Sequence, residues 1–235
     1  MLSNEIELLN LVKDFFGCGY LDKDKRGAIT FAIRDINSIN NVIIPHFSKY
    51  PLRGTKYLDF LSFKEAFHII ESKEHLTEEG IDKIIGISKG MNTGREFPVG
   101  AYYSPNHTKE SNIDYMPING HYINGFIAGD GCLSINLKGR RFGYMYLSIG
   151  QHINNRLLLK SIAKYFKNPL KVYSNGINML QINLCGARLW NNIIFVHFSN
   201  YPLYGTKKIK LNKLLMIRKL IINNKDLIKI GKSKE

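Results

Sequence analysis

The sequence predicts an α+β protein made of two copies of one unit, in which helices alternate with pairs of short strands. Three observations carry that prediction. First, residues 46–56 read HFSKYPLRGTK and residues 197–207 read HFSNYPLYGTK, nine of eleven positions agreeing at an offset of 151. Upstream, ELLNLVKDFFG from Glu7 lies against LLLKSIAKYFK from Leu157 at an offset of 150, with Phe16 opposite Phe166. Similarity over such a span marks a duplication whose copies share one fold. Second, stretches of two-residue hydrophobic alternation are interleaved with stretches of helical spacing. Third, charge divides the chain. The net charge is +14, yet residues 1–117 hold 14 basic and 16 acidic side chains, whereas residues 118–235 hold 19 basic and 3 acidic.

The second copy shows the unit most fully. Ile118 to Gly131 is apolar and rich in small residues, and reads as a helix. Cys132–Leu137 and Tyr144–Ile149 alternate across the basic, turn-like LKGRR, as a β-hairpin does. Ile153–Phe166 has its apolar residues at helical spacing. Val172–Tyr173 and Met179–Leu184 flank Ser174-Asn175-Gly176 as a second hairpin. Leu189–Phe198 and Lys208–Ile222 complete an α-β-β-α-β-β-α-α order. In the first copy the corresponding pieces are a helix over Asn4–Phe16, a hairpin near Tyr20–Arg34, and helices over Ile36–Phe47 and Tyr57–Ser72. One further helix, Glu78–Lys89, follows Thr77 as its cap. The domain boundaries expected are 1–91 for an incomplete first repeat, 92–117 for a linker rich in Gly, Pro, Ser and Asn, and 118–235 for a complete second repeat. By the offset, Met1 falls opposite Gln151, so the first copy is expected to begin part-way through the unit.

Composition narrows the function classes. So large an excess of Lys and Arg implies a polyanionic partner, nucleic acid or an anionic surface. The longest uncharged stretch, Leu189 to Thr206, contains Asn, His, Ser and Pro, so no membrane span is expected. Cys18, Cys132 and Cys185 are too scattered for a disulfide framework or a paired-cysteine zinc site. The start, MLSNEIELLN, has no basic amphipathic face and reads as neither signal nor transit peptide. Asn, Ile and Lys together make up a third of the chain. Their A/T-rich codons point to an organellar genome or an AT-rich bacterium, the former favoured, and the expected location is the mitochondrial matrix of an organelle-encoded protein. No Walker A loop, His-Asn-His metal spacing or Ser/His/Asp arrangement is present, and His46 and His197 read as structural.

The most informative stretch is HYINGFIAGDGCLSI, residues 121–135. Gly125 and Gly129 each cost a helix about 1 kcal/mol relative to Ala. With Ala128 they form a face without side-chain bulk, open to the close approach of another helix. Asp130 then sits at the helix end with Gly131 after it, expected as a left-handed cap. A carboxylate is unfavourable at the negative end of a helix dipole unless a cation or a proton offsets it. Asp130 is, moreover, the single carboxylate between Asp114 and Asp226.

INGFIAGDG (123–131) resembles the LAGLIDADG signature of homing endonucleases and intron maturases. The HFxxYPLxGTK element and HLTEEGIDKIIGISKGMNTGREF (75–97) are similar to the two-domain, organelle-intron branch of that family. The resemblance implies a duplicated αββαββα fold whose signature helices pack together, each ending in an acid that binds a divalent metal, Mg²⁺ being suited to carboxylate and phosphate ligands. It implies that Asp130 is the metal acid, while the signature's earlier acid is replaced here by Ala128. Gln151 matches the polar residue placed near the scissile phosphate. Lys207 is a candidate for charge stabilisation, a plain surface lysine being the equal alternative.

In such a fold the strands lie in the DNA major groove, which admits a β-ribbon. Counting alternately from Asp130, the DNA-facing residues would be Cys132, Ser134, Asn136 and Lys138, then Tyr144, Tyr146 and Ser148. Arg140 and Arg141 in the turn can reach phosphate or guanine. Asn175, Asn178 and Gln181 are further candidates from the second hairpin. The chain carries one signature helix, and by the offset the counterpart of Asp130 falls roughly 20 residues before Met1. The expectation is therefore duplex-DNA binding with weak or no cleavage, and pairing or self-association through Gly125, Ala128 and Gly129. RNA binding as a maturase or structural protein, and a folded remnant without function, remain the other readings.

Overall fold

In a computed structural model of the chain, residues 5–96, 118–136, 144–167, 172–174 and 178–223 are described; for Asn136, Tyr144, 172–174 and 221–223 only the backbone is described. By spatial grouping the chain divides into two units, Met1–Pro117 with Gln151–Ser161, and Ile118–Gly150 with Ile162–Glu235.

In the first unit α1 (Ile6–Phe16) ends at Gly17, whose φ of 65° lets its N–H close back on the Lys13 carbonyl at 2.9 Å. The antiparallel hairpin β1 (Tyr20–Lys23) and β2 (Ile29–Ala32) follows. Its turn is built by Asp24, whose Oδ1 accepts the N–H groups of Arg26 and Ala28, both at 2.8 Å. Asp35 caps the next helical run through the Ser38 N–H. That run is α2 (Ile36–Ser38), a π-helical stretch Ile39–Ile43, and α3 (Ile44–Lys49). Helix α4 (Thr55–Glu71) starts after Gly54, and α5 (Glu78–Lys89) is capped as expected, Thr77 Oγ1 accepting the Gly80 N–H. Asp59, buried on α4, accepts the Asn92 N–H at 2.9 Å and pairs with Lys56 at 3.3 Å and Arg95 at 3.5 Å. Residues 151–161 group here through Asn155. Its Oδ1 accepts the Thr55 N–H and its Nδ2 donates to Gln151 Oε1, each at 2.9 Å.

The second unit carries α6 (Gly120–Asp130) and β3 (Gly131–Asn136), followed by β4 (Tyr144–His152) and α7 (Arg156–Tyr165), both of which straddle the unit boundary. β5 (Val172–Ser174) and β6 (Met179–Cys185) follow. Then come α8 (Ala187–Leu189), a π-helical stretch Trp190–Ile194, α9 (Phe195–Asn200) and α10 (Gly205–Asn223). The sheet order is β3-β4-β6-β5, with β3–β4 and β5–β6 antiparallel. Ile123, Ile127, Leu147, Ile149, Ile182, Leu184 and Trp190 are fully buried, so one face of the sheet is core, roofed by helices. The Trp190 indole N–H donates to the Leu184 carbonyl at 3.1 Å, which satisfies its one polar atom.

The duplication extends to backbone detail. The α–π–α run at 36–49 recurs at 187–200, and Gly54 and Gly205, one in each copy of the motif, both adopt positive φ, 63° and 60°. Strand β4 runs three residues beyond its expected end, so Gln151 lies within the strand rather than after it.

Candidate nucleic-acid interface and hydrolytic site

Helix α6 begins where Asn119 accepts the Tyr122 N–H at 2.8 Å, and it is held by the repeated motif along its whole length. At its start, Gly120 lies against the Tyr201 ring, which a Cβ would overlap. At its middle, buried Asn124 donates to the carbonyls of Tyr201 at 2.9 Å and Pro202 at 2.6 Å. At its end, Lys207 Nζ donates to the carbonyl of Gly131, one residue past Asp130. HFSNYPLYGTK is thus the cradle of α6, and Lys207 brings a positive charge to the negative end of that helix.

The helix terminates differently from the expectation. Gly131 has φ −74° and ψ 142°, extended rather than left-handed, and opens strand β3. Glycine is needed there for space: a Cβ would lie 2.7 Å from the Ile127 carbonyl oxygen and 2.8 Å from its Cγ2. Asp130 is exposed at the junction. A Cβ added at Gly125 or Gly129 would meet nothing within 4 Å, and both are exposed; Ala128 is half-buried.

The strand register sorts the predicted face. Cys132 pairs with Ser148, Ser134 with Tyr146, and Asn136 with Tyr144, so all six belong to one side of the hairpin. Opposite them Leu133, Leu147 and Ile149 are buried. Cys132 and Ser134 are exposed, Tyr146 and Ser148 half-buried. Gln181 continues this face on β6, alternating with buried Leu180 and Ile182. Asn178 is exposed but sits in a bend before β6, outside the alternation. Lys138, Arg140, Arg141 and Asn175 lie outside the described residues. Sequence reasoning missed Asn183, whose Oδ1 accepts from Ser148 Oγ at 2.7 Å and from Gln181 Nε2 at 2.6 Å. The signal was present, since Asn183 lies two residues beyond Gln181 on the same strand.

His46 and His197 occupy equivalent aromatic cages. His197 lies among Tyr165, Phe166, Phe198 and Tyr201; His46 lies among Phe15, Phe16, Phe47 and Tyr50. Burial pushes the His197 imidazole down to about 4 and lowers His46 as well. Both are neutral packing groups. The three cysteines are free, and among the described residues no helix is long and apolar enough to cross a membrane.

The second unit thus holds a four-stranded sheet with one apolar and one polar face, a helix ending in an acid at its rim, and a lysine at that helix end. The LAGLIDADG endonuclease profile matches residues 1–67 and 123–217, and the chain belongs to that family. It is 32% identical over 173 residues to probable intron-encoded endonuclease 2 of Neurospora crassa, covering 68% of this chain and 38% of that protein. It is 27% identical to probable intron-encoded endonuclease 3 of the same organism, covering 96% of this chain and 44% of that protein. The chain thus spans less than half the length of these curated relatives. The crystal structure of the I-LtrWI LAGLIDADG homing endonuclease bound to target DNA superimposes with a TM-score of 0.79, at 27% identity over all of this chain and 82% of that one. I-SmaMI, solved on an uncleaved DNA target in the presence of calcium ions, shares the fold with a TM-score of 0.80 at 23% identity, over 97% of this chain and 80% of that one.

Proposed function

We propose that the chain acts as an intron-encoded homing endonuclease, binding duplex DNA on the polar face of the β3-β4-β6-β5 sheet and hydrolysing a phosphodiester bond at the Asp130 end of α6. The observation that carries this is Lys207 at the Gly131 carbonyl, which gathers a cation and an exposed carboxylate at the rim of that face. Family membership and the charge of residues 118–235 support it.

The donor set fits a hard divalent ion such as Mg²⁺. Asp130 is an exposed oxygen ligand, and no trio of His, Cys, Asp or Glu among the described residues could enclose a metal without substrate. That suits an ion completed by phosphate oxygens and water. When bound, the metal supplies Lewis-acid stabilisation of phosphate charge. The chain's own residues do the rest. Asp130 would hold the ion, Lys207 would keep positive charge at the helix end, and Gln151, its Oε1 fixed by Asn155, would orient groups at the phosphate. Ser134, Asn136, Tyr144, Tyr146, Ser148 and Gln181 would face the major groove, with Asn178, Lys138, Arg140 and Arg141 beside them. Gly125, Ala128 and Gly129 would pack against a second helix, whether within one molecule or by self-association. An A/T-rich coding pattern and intron-encoded relatives support a mitochondrial location.

The test is binding and cleavage of duplex targets at graded salt with Mg²⁺, Ca²⁺ or chelator. Arg140→Ala with Arg141→Ala should weaken binding and lower the salt slope by up to about two units. With one signature helix the chain should cut weakly unless α6 pairs with a second such helix, and Asp130→Asn should abolish that Mg²⁺-dependent cleavage while affinity is kept or slightly raised. Undiminished cutting by Asp130→Asn would refute the site, and salt-insensitive binding would refute the interface.

A further inference from the structure

On the sheet's open face, Asn183 has its carboxamide acceptor committed twice over within the protein. A carboxamide oxygen has two lone-pair directions. Asn183 Oδ1 receives one hydrogen bond from the Ser148 hydroxyl on β4 and a second from Gln181 Nε2 on its own strand. With Oδ1 turned to both donors, what Asn183 presents outward is the Nδ2 amino group, with two N–H donors. Leu147 and Ile149 flank Ser148, and Ile182 and Leu184 flank Asn183; all four are buried on the opposite side, which holds the trio on the polar face. Three side chains on two strands thereby preorganise one donor group.

An asparagine with both groups available reads adenine, accepting from N6 and donating to N7. With its acceptor occupied it cannot do so. The major-groove edge that offers two adjacent acceptors and no donor is that of guanine, through N7 and O6. We infer that Asn183 is a specificity-determining residue that selects guanine at one position of the DNA target, with Ser148 and Gln181 as the positioning residues that deny it adenine. This rests on the reading of the sheet as a duplex-DNA interface, and it adds a base identity that the family assignment does not contain.

The experiment is selection of bound duplexes from a pool with randomised positions, using the full chain and three variants. Wild type should enrich guanine at one position. Asn183→Ala should lose that preference, with discrimination there falling about tenfold. Asn183→Asp keeps an acceptor for both internal donors yet presents oxygen outward, so the same position should turn to cytosine, whose N4 is a donor. Ser148→Ala frees one lone pair of Asn183, and adenine should then be admitted. An Asn183-dependent position that prefers adenine or cytosine in the wild type would overturn the inference, as would identical preferences in wild type and Asn183→Asp. Failure of the interface reading looks different: no duplex would be enriched at any position.

Discussion

The two copies of the motif HFSxYPLxGTK fold alike and are buried differently. Both contain the α–π–α run, a positive-φ glycine and a histidine ringed by aromatics. In the second copy Phe166 is 0% and His197 4% exposed, and α6 lies along the motif from Tyr201 to Lys207. In the first, Phe15 is 69% and Tyr50 57% exposed, and Phe16 is half-buried. Lys56, the counterpart of Lys207, turns instead to Asp59 and to Asn92 Oδ1 at 2.8 Å. The difference is in the neighbours. Among the described residues the first unit holds a two-stranded hairpin and the second a four-stranded sheet, and α6 and the residue after it bond to the second motif. Local sequence sets the backbone of the motif; what packs on it sets how much each residue contributes.

Substitutions at paired positions measure that difference, beginning with the largest. Phe166→Ala should cost about 3–5 kcal/mol, as expected for a fully buried aromatic, and Phe16→Ala roughly half that. Urea unfolding followed by the single tryptophan, Trp190, reports the second unit, while hydrogen exchange in α1 reports the first. Equal losses would show that the copies are equally packed.

The histidine cages should differ next. His197 titrates near 4 in the fold against an ordinary 6.5, because burial disfavours its charged form. As pH falls through 6.5 the unfolded chain takes up a proton that the folded unit refuses. Stability of the second unit should therefore drop by about 3 kcal/mol between pH 6.5 and 4, then level. His197→Phe should flatten that contribution, and His46→Phe should change the pH profile less. A profile unchanged by His197→Phe would mean that the cage does not exclude the charged imidazole.

The glycines offer a smaller contrast. Gly54 has φ 63° and ψ −149°, a region closed to side chains, and its added Cβ would collide with the Asn155 oxygen that receives Thr55. Gly54→Ala should cost about 3 kcal/mol and Gly205→Ala about 1 kcal/mol, read as shifts in denaturant midpoint. Smallest is the lysine pair. Lys56 is largely exposed, so Lys56→Met should change stability by less than about 1 kcal/mol. Lys207→Met should leave the fold standing and slow cleavage of bound DNA, and equal cleavage by the two variants would remove Lys207 from the site.

Much of this was legible in the chain. The duplication needed only an eleven-residue motif repeated at a fixed offset. The hairpins followed from alternation, and the Thr77 cap from a residue whose preference is local. Alternation also sorted Ser134, Tyr146 and Ser148 from Leu133 and Leu147, because a strand's side chains have a period of two whatever packs on them. Three features could not be read that way. Gly131 is required by its distance to Ile127 rather than by a left-handed cap. Lys207 reaches a carbonyl 76 residues away, and Asn183 joins Ser148 across 35 residues. Sequence fixes which groups are available and which face of an element they occupy, since those depend on bonded neighbours. Which donor meets which acceptor depends on how helices and strands are brought together, and only the tertiary structure decided that.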